Sequence, residues 1–352
     1  MTTILPEGLS CPLPITQHDK VQLSHGSGGK MMNDLISKLF LWAFDNPLLN
    51  KKDDQAIIEM NGKKFAFSTD SFVVDPLFFP GGNIGELAVN GTVNDVSMSG
   101  ARPLFLSTGF IIEEGFSMQE LQKIVESMRD AAKQAGVMIV TGDTKVVNKG
   151  KGDKVFINTA GIGIIDHDFS IGSSNLQPDD VLIINGTIAD HGMAIMSQRE
   201  GLAFDAPIKS DTAALNGLIE KILEAGGPDI HAMRDATRGG VAAILNEFAE
   251  DSAVTLRIKE GLIPINAPVK GACEIMGLDP LYVANEGKMV VSVSRKNADK
   301  VLKAMQSHPL GKESAIIGDV IKDKPGMVTM QTRIGAWRIV DMLVGEQLPR
   351  IC

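Results

Sequence analysis

A polar segment at residues 166–180 divides the chain into two halves of similar character. Its sequence is DHDFSIGSSNLQPDD, in which Ser, Gly and Pro interrupt any regular apolar period. On both sides of it, runs with the apolar period of a helix are mixed with short apolar runs typical of strands. Each half is therefore predicted to form its own α+β unit, and 352 residues suffice for two such domains.

The helix with the strongest signal is predicted over residues 117–135. Ser117 and Glu120 have the spacing of a capping box, and Gly136 can adopt the left-handed conformation that ends a helix. Apolar residues between these ends fall on one helical face. Further helices are predicted over residues 31–44, 83–99, 211–225, 239–249 and 297–308, and strands over 64–70, 137–141, 155–165, 181–185, 255–259, 289–294, 328–331 and 337–341.

Charge and cysteine content exclude several classes of protein. The net charge is −9, and the sequence lacks the clustered Lys and Arg that bind a phosphate backbone, so nucleic acid is not an expected partner. No apolar run approaches the roughly 18 residues of a membrane span, and the first 20 residues do not resemble a secretory signal. The three cysteines, Cys11, Cys273 and Cys352, lie far apart and predict no disulfide framework, which favours the reducing cytoplasm.

Four polar clusters each place an aspartate beside or within an apolar element: TDS (69–71), ND (94–95), TGDTK (141–145) and RDATRGG (234–240). A buried carboxylate needs a cation, a metal or several hydrogen bonds, although any one of these clusters could simply be a cap or a turn. A glycine-rich stretch, HGSGGK (25–30), precedes a predicted helix and is either a phosphate-binding loop or a flexible entry loop. Together these clusters favour a site for a nucleotide and Mg²⁺, because Mg²⁺ prefers oxygen ligands.

Two further residues could carry chemistry. Glu286, within ANEGK (284–288), could be a general base with a pKa raised by burial, although its Asn and Gly neighbours favour a hairpin turn. Cys352 ends the chain, where exposure is expected. Residues 346–352 could extend about 23–25 Å and carry the thiol between sites, although an incidental terminal cysteine is the alternative.

In this order, the clusters resemble the HypE family of hydrogenase maturation proteins, the carbamoyl dehydratases. That family belongs to the superfamily of aminoimidazole ribonucleotide synthetase and selenophosphate synthetase. The resemblance extends from about Val21 to Cys352, and the terminal PRIC is its most specific part. Selenophosphate synthetases carry a reactive Cys or selenocysteine in the glycine-rich loop, where this chain has His25 and Ser27. The other matching stretches are HGSGG (25–29), FSTDS (67–71), DPLFFPGGNIG (75–85), NDVSMSGA (94–101), TGDTKVV (141–147), INTAGIG (157–163), RDATRGGV (234–241), ANEGK (284–288) and HPLGK (308–312).

The resemblance implies a two-domain α+β fold of the aminoimidazole ribonucleotide synthetase type. An ATP-binding and dimerisation domain would occupy residues 21–168, and a second α+β domain would occupy residues 176–345. The N-terminal domains would pair into a homodimer with ATP bound near the interface. Residues 346–352 would be a mobile tail carrying the reactive Cys352, and residues 1–20 are an additional arm without an assigned function.

The resemblance also implies a reaction. The carbamoyltransferase HypF would load a carbamoyl group onto Cys352, and ATP would drive its dehydration to a thiocyanate. The cyano group would then pass to iron on the HypC–HypD complex. The alternatives are a related synthetase acting on a free small molecule and a non-catalytic scaffold whose tail docks on partners.

The resemblance assigns roles to residues as well. Glu286 would take the amide proton, Lys145 would neutralise charge on the transferring oxygen, and Asp70, Asp95 and Asp235 would hold Mg²⁺. Asp143 is a weaker candidate for the metal. The residues implied in nucleotide binding are His25, Gly26, Ser27, Gly28, Gly29, Asp143, Thr144, Asn158, Arg234 and Thr237.

Overall fold

The computed structural model describes residues 20–202, 207–345, 348 and 350–352. Apart from Lys20, the predicted N-terminal arm lies outside the described residues, as do Cys11 and positions 346, 347 and 349 of the predicted tail. No helix in the described part of the chain is long and apolar enough to cross a membrane.

The chain alternates between strands and helices. The strands are β1 (Ala56–Met60), β2 (Lys63–Phe72), β3 (Phe78–Phe79), β4 (Gly82–Asn83), β5 (Arg102–Glu113), β6 (Met138–Val147), β7 (Val155–Ile165), β8 (Asp180–Ile184), β9 (Ile230–Asp235), β10 (Thr255–Lys259), β11 (Met289–Ser294), β12 (Ala315–Ile321), β13 (Met327–Gln331) and β14 (Trp337–Ile339). The helices are α1 (Lys30–Leu35), α2 (Leu41–Phe44), α3 (Ile84–Ser97), α4 (Met118–Ala135), α5 (Asp190–Arg199), α6 (Asn216–Gly226), α7 (Gly240–Asp251), α8 (Ala267–Met276) and α9 (Ala298–Gln306).

The N-terminal half forms a five-stranded sheet in the order β1-β2-β7-β5-β6. Neighbouring strands are antiparallel except β5 and β6, which are parallel. Helices α3 and α4 cover one face, and α3 is buried along almost its whole length because small and apolar residues surround its axis. The other face keeps apolar side chains exposed, among them Phe67, Ile111 and Val140. This half is therefore two layers, with one sheet face left uncovered by the described residues of the single chain.

The C-terminal half is a seven-stranded mixed sheet in the order β14-β13-β10-β12-β8-β11-β9. Strand β8 is buried on both faces, because alternate residues of a strand point to opposite sides. Leu182 and Ile184 pack with α7, whereas Val181 and Ile183 pack with α6 and α9. The second half is therefore three layers, and its strands belong to a separate sheet from those of the first half.

The predicted helix over residues 117–135 is confirmed as α4. The Ser117 hydroxyl accepts a hydrogen bond from the Glu120 N–H (3.4 Å), and Gly136 ends the helix in the left-handed region at φ 71°. The predicted helix over residues 31–44 is interrupted by a π-helical turn, Ile36–Phe40, and its apolar stripe stays partly exposed.

Two other sequence predictions were wrong in extent. The helix predicted from residue 211 begins only at Asn216, because the backbone before it is held by other parts of the chain: Asn94 Nδ2 donates to the Ala213 carbonyl (3.0 Å). The strand predicted over 137–141 continues as β6 to Val147, so TGDTK lies within a strand rather than after one. Strands β1, β3, β4, β5, β9 and β12 were not predicted.

Candidate active site

Three of the predicted metal ligands meet in a cleft between the two halves. Asp70 lies near the end of β2, Asp95 lies in α3, and Asp235 is the last residue of β9. Burial raises the pKa of Asp95, and the neighbouring charges of Asp235 and Asp70 raise it further. Asp235 Oδ2 is buried and has no hydrogen-bond partner among the described residues. The fold has thus gathered acidic groups that repel one another.

A fourth aspartate, which the sequence analysis missed, joins this group. Asp54 precedes β1, and burial and its acidic neighbours raise its pKa to about 6 although Arg234 opposes the shift. Arg234 Nε lies 3.0 Å from Asp54 and 3.2 Å from Glu247, and its Nη1 donates to Ser173 Oγ (3.1 Å). The predicted nucleotide ligand Arg234 is therefore held within a buried ion-pair cluster of its own chain.

Glu286 enters the same cleft from the loop before β11. Its side chain is 3 % exposed, and Oε1 has no hydrogen-bond partner among the described residues. Burial raises its pKa well above the ordinary value, with further contributions from the charges of Asp70, Asp235 and Asp211. The alternative of a simple hairpin turn is wrong, because a 3₁₀ turn, Pro280–Tyr282, precedes the loop instead of a strand.

Asp211 fixes the Glu286 loop. Its two carboxylate oxygens accept hydrogen bonds from the backbone N–H of Glu286 (3.2 Å) and of Gly287 (3.3 Å), and Lys288 Nζ lies 3.1 Å away. A Cβ atom on Gly287 would lie 2.0 Å from the Asp211 carbonyl oxygen, so this approach requires glycine. The base candidate is therefore preorganised by its backbone, while Oε1 of its carboxyl group has no hydrogen-bond partner among the described residues.

The glycine-rich loop packs against the residues that follow β9. Gly28 has φ +76°, and a Cβ there would lie 2.5 Å from the Arg238 carbonyl oxygen. Arg238 Nη1 donates to the Gly26 carbonyl (3.2 Å), and its Nη2 lies 3.9 Å from Asp70. The loop is thus held beside the cleft. The other predicted nucleotide ligands in and near this loop have local backbone contacts. Ser27 Oγ donates to the Ser24 carbonyl, His25 Nδ1 accepts from the Gln22 N–H, and Gly29 is the residue before α1. The Thr237 carbonyl accepts from the Gly240 N–H.

The C-terminal cysteine is buried, contrary to the expectation of an exposed terminal thiol. Cys352 is only 6 % exposed, because the last residues pair with residues 73–75: the Val73 N–H donates to the Cys352 carbonyl (2.9 Å) and the Asp75 N–H donates to that of Arg350 (3.3 Å). Burial raises the pKa of its thiol, and nearby carboxylates oppose its ionisation while Arg238 favours it. Those carboxylates include Glu286 and Asp70, so the thiol belongs to the same cleft.

Of the remaining predicted residues, Asn158, Asp143 and Lys145 lie on the uncovered face of the five-stranded sheet, whereas Thr144 points to the opposite face because side chains alternate along β6. Asn158 is exposed and donates to the Asp70 carbonyl (2.8 Å) and to Ser71 Oγ (3.0 Å). Asp143 and Lys145 form an exposed ion pair (2.8 Å) on β6, with Thr144 between them. Ser71, Asn158, Gly109 and Asp143 form one row across the sheet, so β6 lies three strand spacings, about 14 Å, from β2. A single chain therefore does not bring Lys145 to the cleft.

Known proteins are similar to this chain over most of its length. The models of the N-terminal and C-terminal domains of AIR synthase related proteins match residues 52–165 and 177–331. The carbamoyl dehydratase HypE of Rhizobium leguminosarum bv. viciae is 54% identical over 333 residues, which cover 95% of each chain.

Two solved structures are similar over nearly the whole chain. A HypE from a HypE–HypF complex has a TM-score of 0.84 at 53% identity and covers 88% of this chain and 99% of its own. A HypE in complex with ATP has a TM-score of 0.80 at 49% identity and covers 95% of this chain and 100% of its own. This chain therefore belongs to the HypE family of carbamoyl dehydratases, within the AIR synthase related proteins.

Proposed function

We propose that this chain is an ATP-dependent carbamoyl dehydratase that converts an S-carbamoyl group on Cys352 into a thiocyanate. The observation that carries this proposal is the burial of Cys352 close enough to Glu286 for its charge to raise the pKa of the thiol, while Oε1 of Glu286 is buried without a hydrogen-bond partner among the described residues. A candidate reactive thiol and a candidate base from the C-terminal domain thus belong to one cluster of groups.

Glu286 is the general base of the proposed reaction. ATP, when bound with Mg²⁺, supplies the phosphoryl group that turns the carbamoyl oxygen into a leaving group. One of the two N–H protons is lost to water when the oxygen is phosphorylated. Glu286 takes the second as the carbon–oxygen bond breaks, phosphate leaves and the C≡N bond forms. Burial raises its pKa, which makes its carboxylate a stronger base than an exposed one. Asp211 keeps the Glu286 loop in place through the two backbone hydrogen bonds described above.

Asp70, Asp95 and Asp235 fit a divalent cation by their chemistry. They are oxygen donors, the charges of Asp70 and Asp235 raise the pKa of Asp95, the charge of Asp70 raises the pKa of Asp235, and a cation between them would relieve that repulsion. Within the described residues, no three side chains of His, Cys, Asp or Glu are close enough to hold a metal ion by themselves. A Mg²⁺ ion here would therefore share its coordination with phosphate oxygens, and the glycine-rich loop at 26–29 would cover the phosphates.

A second copy of the chain would complete the site. The uncovered face of the N-terminal sheet exposes Phe67, Ile111 and Val140, and pairing of two such faces would bury them. In that homodimer, Asp143, Thr144 and Lys145 on β6 would contribute to the cleft of the other subunit, since they do not reach the cleft of their own chain. Lys145 of the partner subunit would neutralise charge on the transferring oxygen.

Loading requires the tail to leave the cleft, because a thiol that is 6 % exposed cannot meet a second enzyme. The HypE–HypF complex among the relatives supports a HypF-type carbamoyltransferase as the loading partner. The HypC–HypD complex would receive the cyano group. A reducing cytoplasmic location suits a chain whose chemistry needs a free thiol.

The decisive test is the mass of the C-terminal peptide after incubation with the carbamoyltransferase, carbamoyl phosphate and Mg-ATP. We expect a carbamoyl adduct on Cys352 that then loses one water, and no loading of Cys352→Ala. Loading of Cys11 or Cys273 would overturn the tail mechanism. ATP hydrolysis with Cys352 unmodified would instead indicate a synthetase for a free small molecule, and neither modification nor hydrolysis beside an active partner would indicate a scaffold.

A further inference from the structure

The ring of His191 lies between the C-terminal tail and a loop of the second domain. The side chain is fully buried in the first turn of α5. Its Nε2 lies 2.8 Å from the Ile351 carbonyl oxygen, and its Nδ1 lies 2.8 Å from Ser210 Oγ. A carbonyl oxygen only accepts, so Nε2 carries the proton. Burial lowers the pKa of His191, so the neutral ring accepts from the Ser210 hydroxyl at Nδ1.

The orientation of this ring is determined by its surroundings. Ser210 Oγ accepts from the Thr212 N–H (3.1 Å), which directs the hydroxyl proton towards His191. The Ser210 N–H donates to the Pro80 carbonyl (2.7 Å), which fixes the loop. The ring of Phe79 meets the imidazole edge-on at a centroid distance of 5.5 Å. The Nε2–H therefore points at the tail with little freedom to turn away.

The loop that orients His191 also holds the base. Asp211, directly after Ser210, accepts from the backbone N–H of Glu286 and of Gly287. One short segment thus positions both the histidine that binds the Ile351 carbonyl and the backbone from which the Glu286 side chain extends. The tail has other anchors: Arg199 donates to the Arg350 carbonyl, and the Val73 N–H donates to that of Cys352. His191 binds the Ile351 carbonyl, which lies between these two anchored carbonyls and directly before the reactive cysteine.

We propose that His191 is a positioning residue that holds the loaded tail in the cleft by donating its Nε2–H to the Ile351 carbonyl, and that Ser210 and Asp211 align this contact with the Glu286 loop. This inference rests on the proposed function, since it gives the inward tail its role in dehydration. It adds a residue that touches neither the carbamoyl group nor the nucleotide.

The first test measures tail release without any reaction. Full-length protein is treated with iodoacetamide, without ATP or a carbamoyltransferase, and the labelling rate of the Cys352 peptide is followed by mass spectrometry. His191→Phe keeps a buried ring but removes the donor. We expect it to label Cys352 about fivefold to tenfold faster, the size typical of one lost hydrogen bond. The buried Cys273 peptide is the internal reference for loosening of the whole fold.

His167→Phe is the matched control. Both nitrogens of His167 also lie on backbone carbonyls, those of Phe169 (2.9 Å) and Ser99 (3.1 Å), but these contacts are not with the tail. We expect its Cys352 labelling to match that of the wild type. Wild-type labelling of Cys352 in His191→Phe would overturn the inference, as would equal acceleration of the Cys352 and Cys273 peptides.

The second test is rescue by a conservative variant. The side-chain amide of His191→Gln can reach the Ile351 carbonyl, so we expect slow labelling of Cys352 to return. In single-turnover dehydration of preloaded protein, His191→Phe should be slower than His191→Gln, while loading by the carbamoyltransferase should be unchanged or faster. Rescue that fails with an unchanged melting temperature would contradict the role of the donor. If labelling behaves as expected but no variant dehydrates, the proposed function fails while the tail contact stands.

Discussion

The inner cleft and the uncovered face of the N-terminal sheet hold the predicted site residues in two very different environments. In the cleft, Asp235 and Glu286 are buried and Asp95 is half-buried, and desolvation raises the pKa of all three. On the open face, the Asp143 carboxylate is bound by Lys145, which lowers its pKa. Groups of similar chemistry thus have pKa values shifted in opposite directions, because one set is buried among like charges and the other is paired in water.

The difference arises from strand alternation. Asp70 and Ser71 are adjacent in sequence, yet the pleat directs Asp70 towards the cleft and Ser71 towards the open face, where it meets Asn158. A motif such as TDS therefore contributes to both environments. This teaches that adjacency in a motif does not establish adjacency in a site, and that the open face needs a second chain before it can take part in catalysis.

The largest expected effect concerns the cleft. Glu286→Gln removes the base while keeping the shape of the side chain, so dehydration should fall by about 10²- to 10⁴-fold. Peptide mass should show carbamoyl-Cys352 accumulating, and exposed Glu313→Gln should behave as wild type. Thiocyanate formed at the normal rate in Glu286→Gln would place the base elsewhere.

The second-largest expected effect tests whether residues on the open face contribute to catalysis in the cleft of the other subunit. Lys145→Ala should slow dehydration by about 10²- to 10³-fold, the range for loss of one electrostatic stabiliser. Mixing Lys145→Ala with Cys352→Ala should restore activity, to about a quarter of wild type for random pairing into dimers. A mixture as inactive as its parts would show that the two regions do not cooperate across subunits.

A third prediction concerns the pH dependence of stability. The pKa of Asp54 rises from 3.8 to about 6 on folding, so the folded state binds its proton more tightly. The resulting stabilisation is complete below about pH 4 and is lost as the pH rises through 6. The free energy of unfolding, measured by urea titration without metal, should therefore decrease across this window. Asp54→Asn should flatten the decrease, and an unchanged slope in that variant would assign it to other groups.

The smallest effect separates stability from function. Asp95→Asn removes one of several neighbouring acidic charges, so the metal-free protein should gain free energy of unfolding while losing ATP turnover. Ser68 Oγ, which donates to Asp95 Oδ2 (3.0 Å), can donate equally to the asparagine oxygen. The exposed Asp143→Asn should change stability by less than about 0.5 kcal/mol. Normal ATP turnover in Asp95→Asn would remove this residue from the metal site.

Local sequence signals predicted the elements that depend on neighbours in the chain. Helix α4 follows from its Ser117 cap, its apolar period and Gly136, and all three act within a few residues of one another. Asp54 and Asp211 were missed as site residues because their importance comes from partners far along the chain, Arg234 and the Glu286 loop. The extents of the helix predicted from residue 211 and of the strand that became β6 failed for the same reason.

The sequence by itself determined the two-part α+β organisation, the glycine-rich loop and the set of acidic and thiol groups available for chemistry, because these depend on local pattern and residue type. Only the tertiary structure decided that Cys352 is buried beside Glu286, that Arg234 is bound by Asp54 and Glu247, and that Lys145 faces away from the cleft of its own chain. The physical reason is that sheet register and the pairing of residues 350–352 with 73–75 join segments that are distant in the chain, and these contacts set the burial and charge of each group.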